Sequence, residues 1–432
     1  MVKKAWLRLL LPGALILIVG IGLFAKVKVE DAATMAKFPD RGVPRINITL
    51  NGVTLDEINA GSKEVKYEGN ELSLYEGSGV QEFENVRIKG RGNGTWGQEK
   101  KPYQIKLNEK VDLLGMGRAK KWYLLANAMD GTNLRTEIAT YLEKMLGMEY
   151  VLDGKFVEVY VNGEYLGLYY LTHALEVGKM AVNLRDPMGV LVELDNIYGA
   201  AEDNYVTENG DLLVVKDVAV EENRHLAMND FVKAFNELEV AVGEKDYEKI
   251  AELADVESFA KYYLLSEFSV NPDAYWTSFY FYKDGINDKI HAGPGWDFDL
   301  AFANRRWGNW MGESFYSPTR TMVRKDEILP KEMYDEMGIE NGYEASIHLS
   351  KIVYDMMGVP EFQEEVKRVF REKMSGREME LAKKIKETTD EIRSVAEVDG
   401  EKWGESGFET EVVEILKWVE ERYKYFEEVY GE

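Results

Sequence analysis

The sequence predicts an α+β protein in two lobes, a β-rich N-terminal lobe and a mainly helical C-terminal lobe, behind an N-terminal targeting segment. Three observations carry this reading. Short alternating strands separated by Gly and Asn turns run from Ile46 to Gly90. From Glu221 onward, apolar residues recur at three- and four-residue spacing, the signature of amphipathic helices. Between those helices one stretch breaks the pattern: Asn271 to Phe302, NPDAYWTSFYFYKDGINDKIHAGPGWDFDLAF, reads as an aromatic hairpin flanked by acids.

Composition sets the outer bounds. A chain of 432 residues, 45% hydrophobic and 12% aromatic, can bury a substantial core. Its formal charge of −24 argues against nucleic-acid binding, which needs basic stripes, and favours a basic protein partner. Cysteine is absent, which removes thiol nucleophiles, disulfide frameworks and zinc–thiolate sites. The four His residues, 173, 225, 291 and 348, are scattered without metal-ligand spacing, and there is no GxSxG elbow. No carboxylate pair among the 77 acids stands out as a glycosidase pair.

The first thirty residues read as a signal anchor or signal peptide. Lys3, Lys4 and Arg8 precede 17 uncharged residues, Leu9 to Ala25, and with Trp6 and Leu7 the run nearly matches the ~20 that span a bilayer. LFAKVKV is a poor cleavage site, which favours an uncleaved anchor. The basic flank places the remainder outside the cytoplasm. Residues 31–43 read as a juxtamembrane linker. One domain then fills 44–432, its first lobe about 44–185 and its second about 186–432.

INITLNG, EVKYEG, ELSLYEG and FENVRIKG are the first strands, with no helical period among them. They lead into GRGNGTWGQEKKPYQIKL, which contains Gly92-x-Gly94-x-x-Gly97. A dinucleotide fold would need a helix directly after the glycines. Here an alternating strand follows, Tyr103 to Leu107, with Gln104 and Lys106 on one face. A glycine loop between two strands, with a lysine on the second, is a way of covering nucleotide phosphates. Lys100 and Lys101 compete with Lys106 for that role, but stand beside Pro102 in a loop. Trp122 to Ala126 reads as a buried strand, Asp130 to Asn133 as N-cap chemistry, and Leu134 to Met145 as a helix. Glu137 on its first turn is the acid available to pair with the strand lysine; a solvated Glu favoured by the helix dipole is the alternative. KFVEVYV and YLGLYYL form a hairpin about Asn162-Gly163. VLVELD and LLVVK add strands around an acidic loop, YGAAEDNY. After the helices and the acidic hairpin comes an aromatic loop, RRWGNWMGESFYSP, and helices close the chain.

In the 271–302 stretch, Ser278 to Lys283 reads as a strand and Lys289 to His291 as the start of its return. A turn near Ile286 brings Asp273 and the Asp297/Asp299 pair to one end of the hairpin. Carboxylates gathered without a local Lys or Arg repel unless a cation joins them. That predicts a magnesium site beside a catalytic carboxylate, against the plainer reading of a surface hairpin with solvated acids. The element order as a whole is that of a bilobed kinase.

Four ordered segments, RGNGTWGQEKKPYQIKL, WYLLANAMDGTNLR, VEVYVNGEYLGLYYL and NPDAYWTSFYFYKD…GWDFDLAF, resemble the spore-coat-protein-H (CotH) kinase family over roughly 44–302. The resemblance implies an atypical protein-kinase-like bilobed fold that transfers phosphate from ATP, with Mg2+ or Mn2+, to Ser or Thr of extracytoplasmic proteins. It implies Asp273 as the catalytic acid and Asp297, assisted by Asp299, as the metal ligand. Lys106 would contact phosphate under the loop containing Arg91, Gly92, Asn93, Gly94 and Gly97; its acid partner is not fixed by the sequence, Glu137 being the acid available on the helix. Two positions depart from the pattern. Ser278 stands where kinases place the second metal-binding Asn, and His173 follows YYLT where an acid is expected. A non-catalytic surface-binding protein, or adenylyl transfer on the same scaffold, are the competing readings.

Overall fold

The computed structural model describes residues 28–29, 37–304, 350–404 and 406–432. Strands β1 (Lys28–Val29), β2 (Arg45–Thr49), β3 (Tyr67–Glu76), β4 (Gly79–Gly90), β5 (Tyr103–Asp112), β6 (Arg118–Leu125), β7 (Gly154–Val161) and β8 (Glu164–His173) form one sheet in the order β1-β4-β3-β2-β7-β8-β6-β5. Because β4 also pairs β5, seven of them close into a barrel. Every ladder in it is antiparallel except β2–β7. Alternation dictates the filling. Ile46, Ile48, Leu72, Leu74, Ile88, Ile105, Trp122, Leu124, Val157 and Val159 point inward and are fully or almost fully buried.

A second, five-stranded sheet has the order β10-β11-β9-β12-β13, from β9 (Gly189–Leu194), β10 (Asn204–Val206), β11 (Leu212–Val218), β12 (Phe279–Asp284) and β13 (His291–Ala292). One of its faces shares one large core with the helices, while Leu191, Tyr280 and Tyr282 on the other pack against Val182 and Leu184. Those helices are α2 (Arg135–Leu146), α3 (Arg224–Glu244), α4 (Tyr247–Leu253), α5 (Val256–Ser269), α6 (Ile352–Met356), α7 (Pro360–Lys373), α8 (Glu378–Trp403) and α9 (Phe408–Tyr430). The single-turn helix α1 (Leu55–Ala60) sits at the barrel and begins with a capping box, Thr54 and Glu57. Reading Ile46–Gly90 as strands alone missed it, although T-x-x-E is a legible start signal.

The bilobed kinase-like architecture expected from element order is overturned. The N-terminal strands close a barrel, and the later half carries a five-stranded sheet of its own. Helix α2, expected in the first lobe, packs its Ile138, Leu142 and Leu146 into the core shared with the second sheet and the C-terminal helices. Strand lengths and turns do not encode closure, which depends on β4 finding two partners. Among the described residues no helix is long and apolar enough to cross a membrane. The anchor expected over 1–30 lies outside the described residues apart from Lys28 and Val29, as does the aromatic loop that begins at Arg305.

Candidate active site

The acidic hairpin forms where expected. Helix α5 ends at Val270 in left-handed backbone, and the chain turns through Asn271-Pro272-Asp273 into β12. Strand β12 pairs β9 on one side and β13 on the other, with Phe281 opposite Ala292 and Tyr282 opposite His291. Asn271, almost fully buried, joins the two ends: its Oδ1 accepts from the Asp273 backbone N–H at 3.2 Å and its Nδ2 donates to the Asp297 carbonyl at 3.3 Å. Asp273, Asp297, Asp299 and Ser278 all line one cleft of about 870 Å³ between the barrel and the second sheet.

Backbone strain concentrates here. Of the twelve non-glycine residues with positive φ among the described residues, six lie between 270 and 303: Val270, Tyr275, Ser278, Asp297, Phe302 and Ala303. Such conformations cost of order 1 kcal/mol or more and persist only where surrounding contacts over-determine them. Those contacts are visible. Asn304 donates to the carbonyls of Met129 and Asp299, both at 2.7 Å, and the Arg135 Nε donates to the Ala301 carbonyl at 2.9 Å.

The acids share an unfavourable field. Burial raises Asp297, opposed by the nearby Arg91 guanidinium and by the Ser278 hydroxyl, which donates to Asp297 Oδ2 at 3.2 Å. Asp299 is driven well above the carboxylate range by burial, then by Asp297, Asp273 and Asp130. Tyr198, across the cleft, is pushed up to about 12 by burial and by Asp273, Asp195 and Asp297. Among the described residues no group of three or more His, Asp or Glu side chains gathers tightly enough to cage a metal by itself. Magnesium does not require such a cage. It is commonly held by one or two carboxylates, with waters and substrate phosphates completing the shell. Asp297, open to the cleft, and Asp299, buried beside it, are hard-oxygen donors whose mutual repulsion a cation would relieve, and they fit that demand.

The glycine loop roofs the cleft with Gly92, Asn93, Gly94 and Thr95, and Gly94–Gly97 folds as one 3-10 turn between β4 and β5. Gly92 has φ +82, and an added Cβ would collide with Thr95 Oγ1. Lys63 fastens this roof, donating to the Gly92 carbonyl at 2.7 Å and to Asn93 Oδ1. Arg91 projects into the cleft with its guanidinium 4.3 Å from the Tyr123 ring centre and 5.5 Å from that of Trp296.

The lysines are placed differently. Lys106 is not among the residues lining the cleft; it sits on the outer barrel face beside Arg87, Lys121 and Lys120. Glu137 is elsewhere, accepting from Tyr170 Oη at 2.6 Å and pairing Lys384 at 2.6 Å. Lys100 is buried against Asp399 at 2.7 Å, and Lys101 donates to the loop carbonyls of Trp96 and Gln98. The departure at His173 is a packing position, its ring 4.4 Å from that of Trp122. Three half-buried lysines do line the cleft, Lys63, Lys89 and Lys216, and of these Lys216, which reading by motif missed, stands on the second sheet. It pairs Glu193 at 2.7 Å and Glu202 at 3.2 Å. The β11–β9 register shifts between Val215 and Asp217, so Lys216 stands at a bulge, a device that re-aims side chains beside functional sites. Burial works to lower Lys216, and its two carboxylates more than reverse that; Glu193 is pushed up to about 7 by burial, against the pull of Lys216. The available signal was Lys216 at the end of the apolar run LLVVK and Glu193 within the largely apolar VLVELD.

A barrel and a second sheet enclosing a strained, acid-rich cleft under a glycine loop define an α+β protein with one large polar cleft. The chain belongs to the CotH kinase protein family, whose model matches residues 86–426. No curated protein matches it closely enough to add a relative.

Proposed function

We propose that this chain is a protein kinase that transfers the γ-phosphoryl group of ATP to Ser or Thr hydroxyls of extracytoplasmic proteins. The observation that carries the reading is the shared cleft: Asp273, Asp297 and Asp299 line it together with the glycine loop, Arg91 and Lys216. Asp273 orients the acceptor hydroxyl and takes its proton. Asp297 and Asp299 would hold Mg2+ or Mn2+, which when bound neutralises phosphate charge. The backbone N–H groups of the glycine loop approach the phosphates, while Arg91 and Lys216 supply fixed positive charge that needs no reorganisation as the transition state forms. Glu193 and Glu202 keep Lys216 protonated and aimed. The extracytoplasmic setting rests on the basic-then-apolar N-terminal run.

The test incubates the full chain with ATP, labelled in turn at the γ- and α-phosphate, with Mg2+ or Mn2+ and candidate surface proteins. Transfer of the γ-label alone supports the reading. Transfer of the α-label makes the protein an adenylyl transferase, and cation-dependent nucleotide binding without transfer makes it a binding protein.

A further inference from the structure

Although the chain is strongly acidic overall, one face of its barrel is basic. Strands β4, β5 and β6 are neighbours, and their register sets Arg87 opposite Lys106 and Lys106 opposite Lys121. Ile88, Ile105 and Trp122 fill the barrel interior, so the three cations point outward in a single row. Like charges directly opposite one another on adjacent strands repel and destabilise a sheet. Local acids answer the ends of the row only: Glu68 pairs Arg87, and Glu176 pairs Lys121. Among the described residues Lys106, at the centre, has no carboxylate within ion-pairing distance. Burial and then Arg87, Lys121 and Lys120 lower its proton affinity, with the more distant Glu176 opposing them.

The place of the row is as informative as its charge. The next row along the same strands is Lys89, Gln104 and Tyr123, and all three line the acidic cleft. Two strand residues separate the rows, roughly 7 Å. A chain lying across the cleft with a hydroxyl near Asp273 would pass its flanking residues over this strip. We propose that the Arg87–Lys106–Lys121 row is a docking surface for an acidic segment of the acceptor protein, an inference that rests on reading the cleft as a phosphotransferase site. It reverses, for the acceptor's flanking sequence, the basic preference that the net charge alone suggests. A Glu- or Asp-rich segment supplies the missing partner for Lys106, and its carboxylates suit this strip better than the acid-lined cleft.

The experiment measures binding of two fluorescent peptides to the full chain by anisotropy. Both peptides carry the same central serine; one has glutamates on its flank and the other glutamines. The acidic peptide should bind about tenfold more tightly at low salt, an advantage that shrinks towards about 0.15 M salt. The triple variant R87Q/K106Q/K121Q should lose the preference while keeping its unfolding midpoint and its nucleotide binding. Equal binding of the two peptides would overturn the proposal, as would a preference that survives in the triple variant. Binding to phosphatidylserine vesicles but not to the acidic peptide would overturn it too. Preferential binding with no phosphate transfer to the serine would leave the surface as an acidic-peptide site and overturn the reading of the cleft instead.

Discussion

Asp273 and Asp297 occupy the same cleft by different routes, and single substitutions should separate what each does. Asp297 opens onto the cleft, is strained at φ +65 and bonded by Ser278, and Asp297→Ala should abolish cation-dependent nucleotide binding measured by calorimetry. Asp273→Asn keeps the size and polarity of the side chain but removes the proton acceptor. It should lower kcat by about 10²–10⁴ while nucleotide affinity stays near that of the unmodified chain. A variant of either kind with full activity would remove that residue from its role. The two lysines make a sharper contrast. Lys216→Met should lose about 10²–10³ in kcat/KM because a preorganised charge leaves the phosphate region, whereas Lys106→Met should leave kcat nearly unchanged. The opposite ranking would return the phosphate contact to Lys106. The acids were legible because they sit at the ends of one local hairpin, where a turn signal alone predicts convergence. The lysine was not. Lys106 and Gln104 share a face of β5, and which of the two overhangs the cleft depends on how the barrel is seated, a fact without any local trace.

Elements that lie far apart in the chain are joined at the foot of the glycine loop by an ion pair. Lys100 and Asp399 are both nearly excluded from water and stand 2.7 Å apart, linking the loop to α8. Asp399 also accepts from the Leu168 backbone N–H at 2.8 Å, which ties the same helix to β8. Removing one member of a buried pair strands the other charge, so Lys100→Met should destabilise the chain by about 3–5 kcal/mol in denaturant titration. Adding Asp399→Asn, which keeps an acceptor for Leu168, should recover most of that loss. If the double variant is no more stable than the single, the ion pair is not the connection that matters. No pattern in the sequence announces this contact, since a barrel loop and a C-terminal helix meet only after closure. Strands and helices were readable one at a time from their periods of two and three-to-four; the seven-stranded closure, which needs β4 to pair β3 and β5 together, was not. Element order suggested two lobes because order says nothing about pairing.

The whole molecule carries its acidity inside as well as on its surface, and this should set its response to pH. Burial raises Asp297, and raises Asp299 and Glu143 further; Glu193 and Glu158 are each pushed up to about 7. A carboxyl whose folded pKa lies above its unfolded value contributes stability that is fully present below the unfolded pKa and lost as pH rises through the folded one. For Glu193, moving from 4.5 to about 7, the loss is roughly 3 kcal/mol. The surface acids held low by hydrogen bonds, such as Glu57 and Glu221, work the other way but are fully exposed and weak. His173, lowered by burial, favours the folded state as pH rises through its ordinary value of 6.5, one group against five. The unliganded chain should therefore lose thermal stability between about pH 5 and pH 8, with the self-repulsion of a net charge of −24 acting in the same direction. Mg2+ with ATP should raise Tm more at pH 8 than at pH 5, because at the higher pH the cation meets carboxylates already ionised and mutually repelling. Glu193→Gln should flatten the ligand-free profile without removing the ligand's stabilisation. Should scanning calorimetry find Tm climbing steadily from pH 5 to 8 in the absence of ligand, the buried acids are not held as these surroundings require, and the cleft has no field for a cation to relieve.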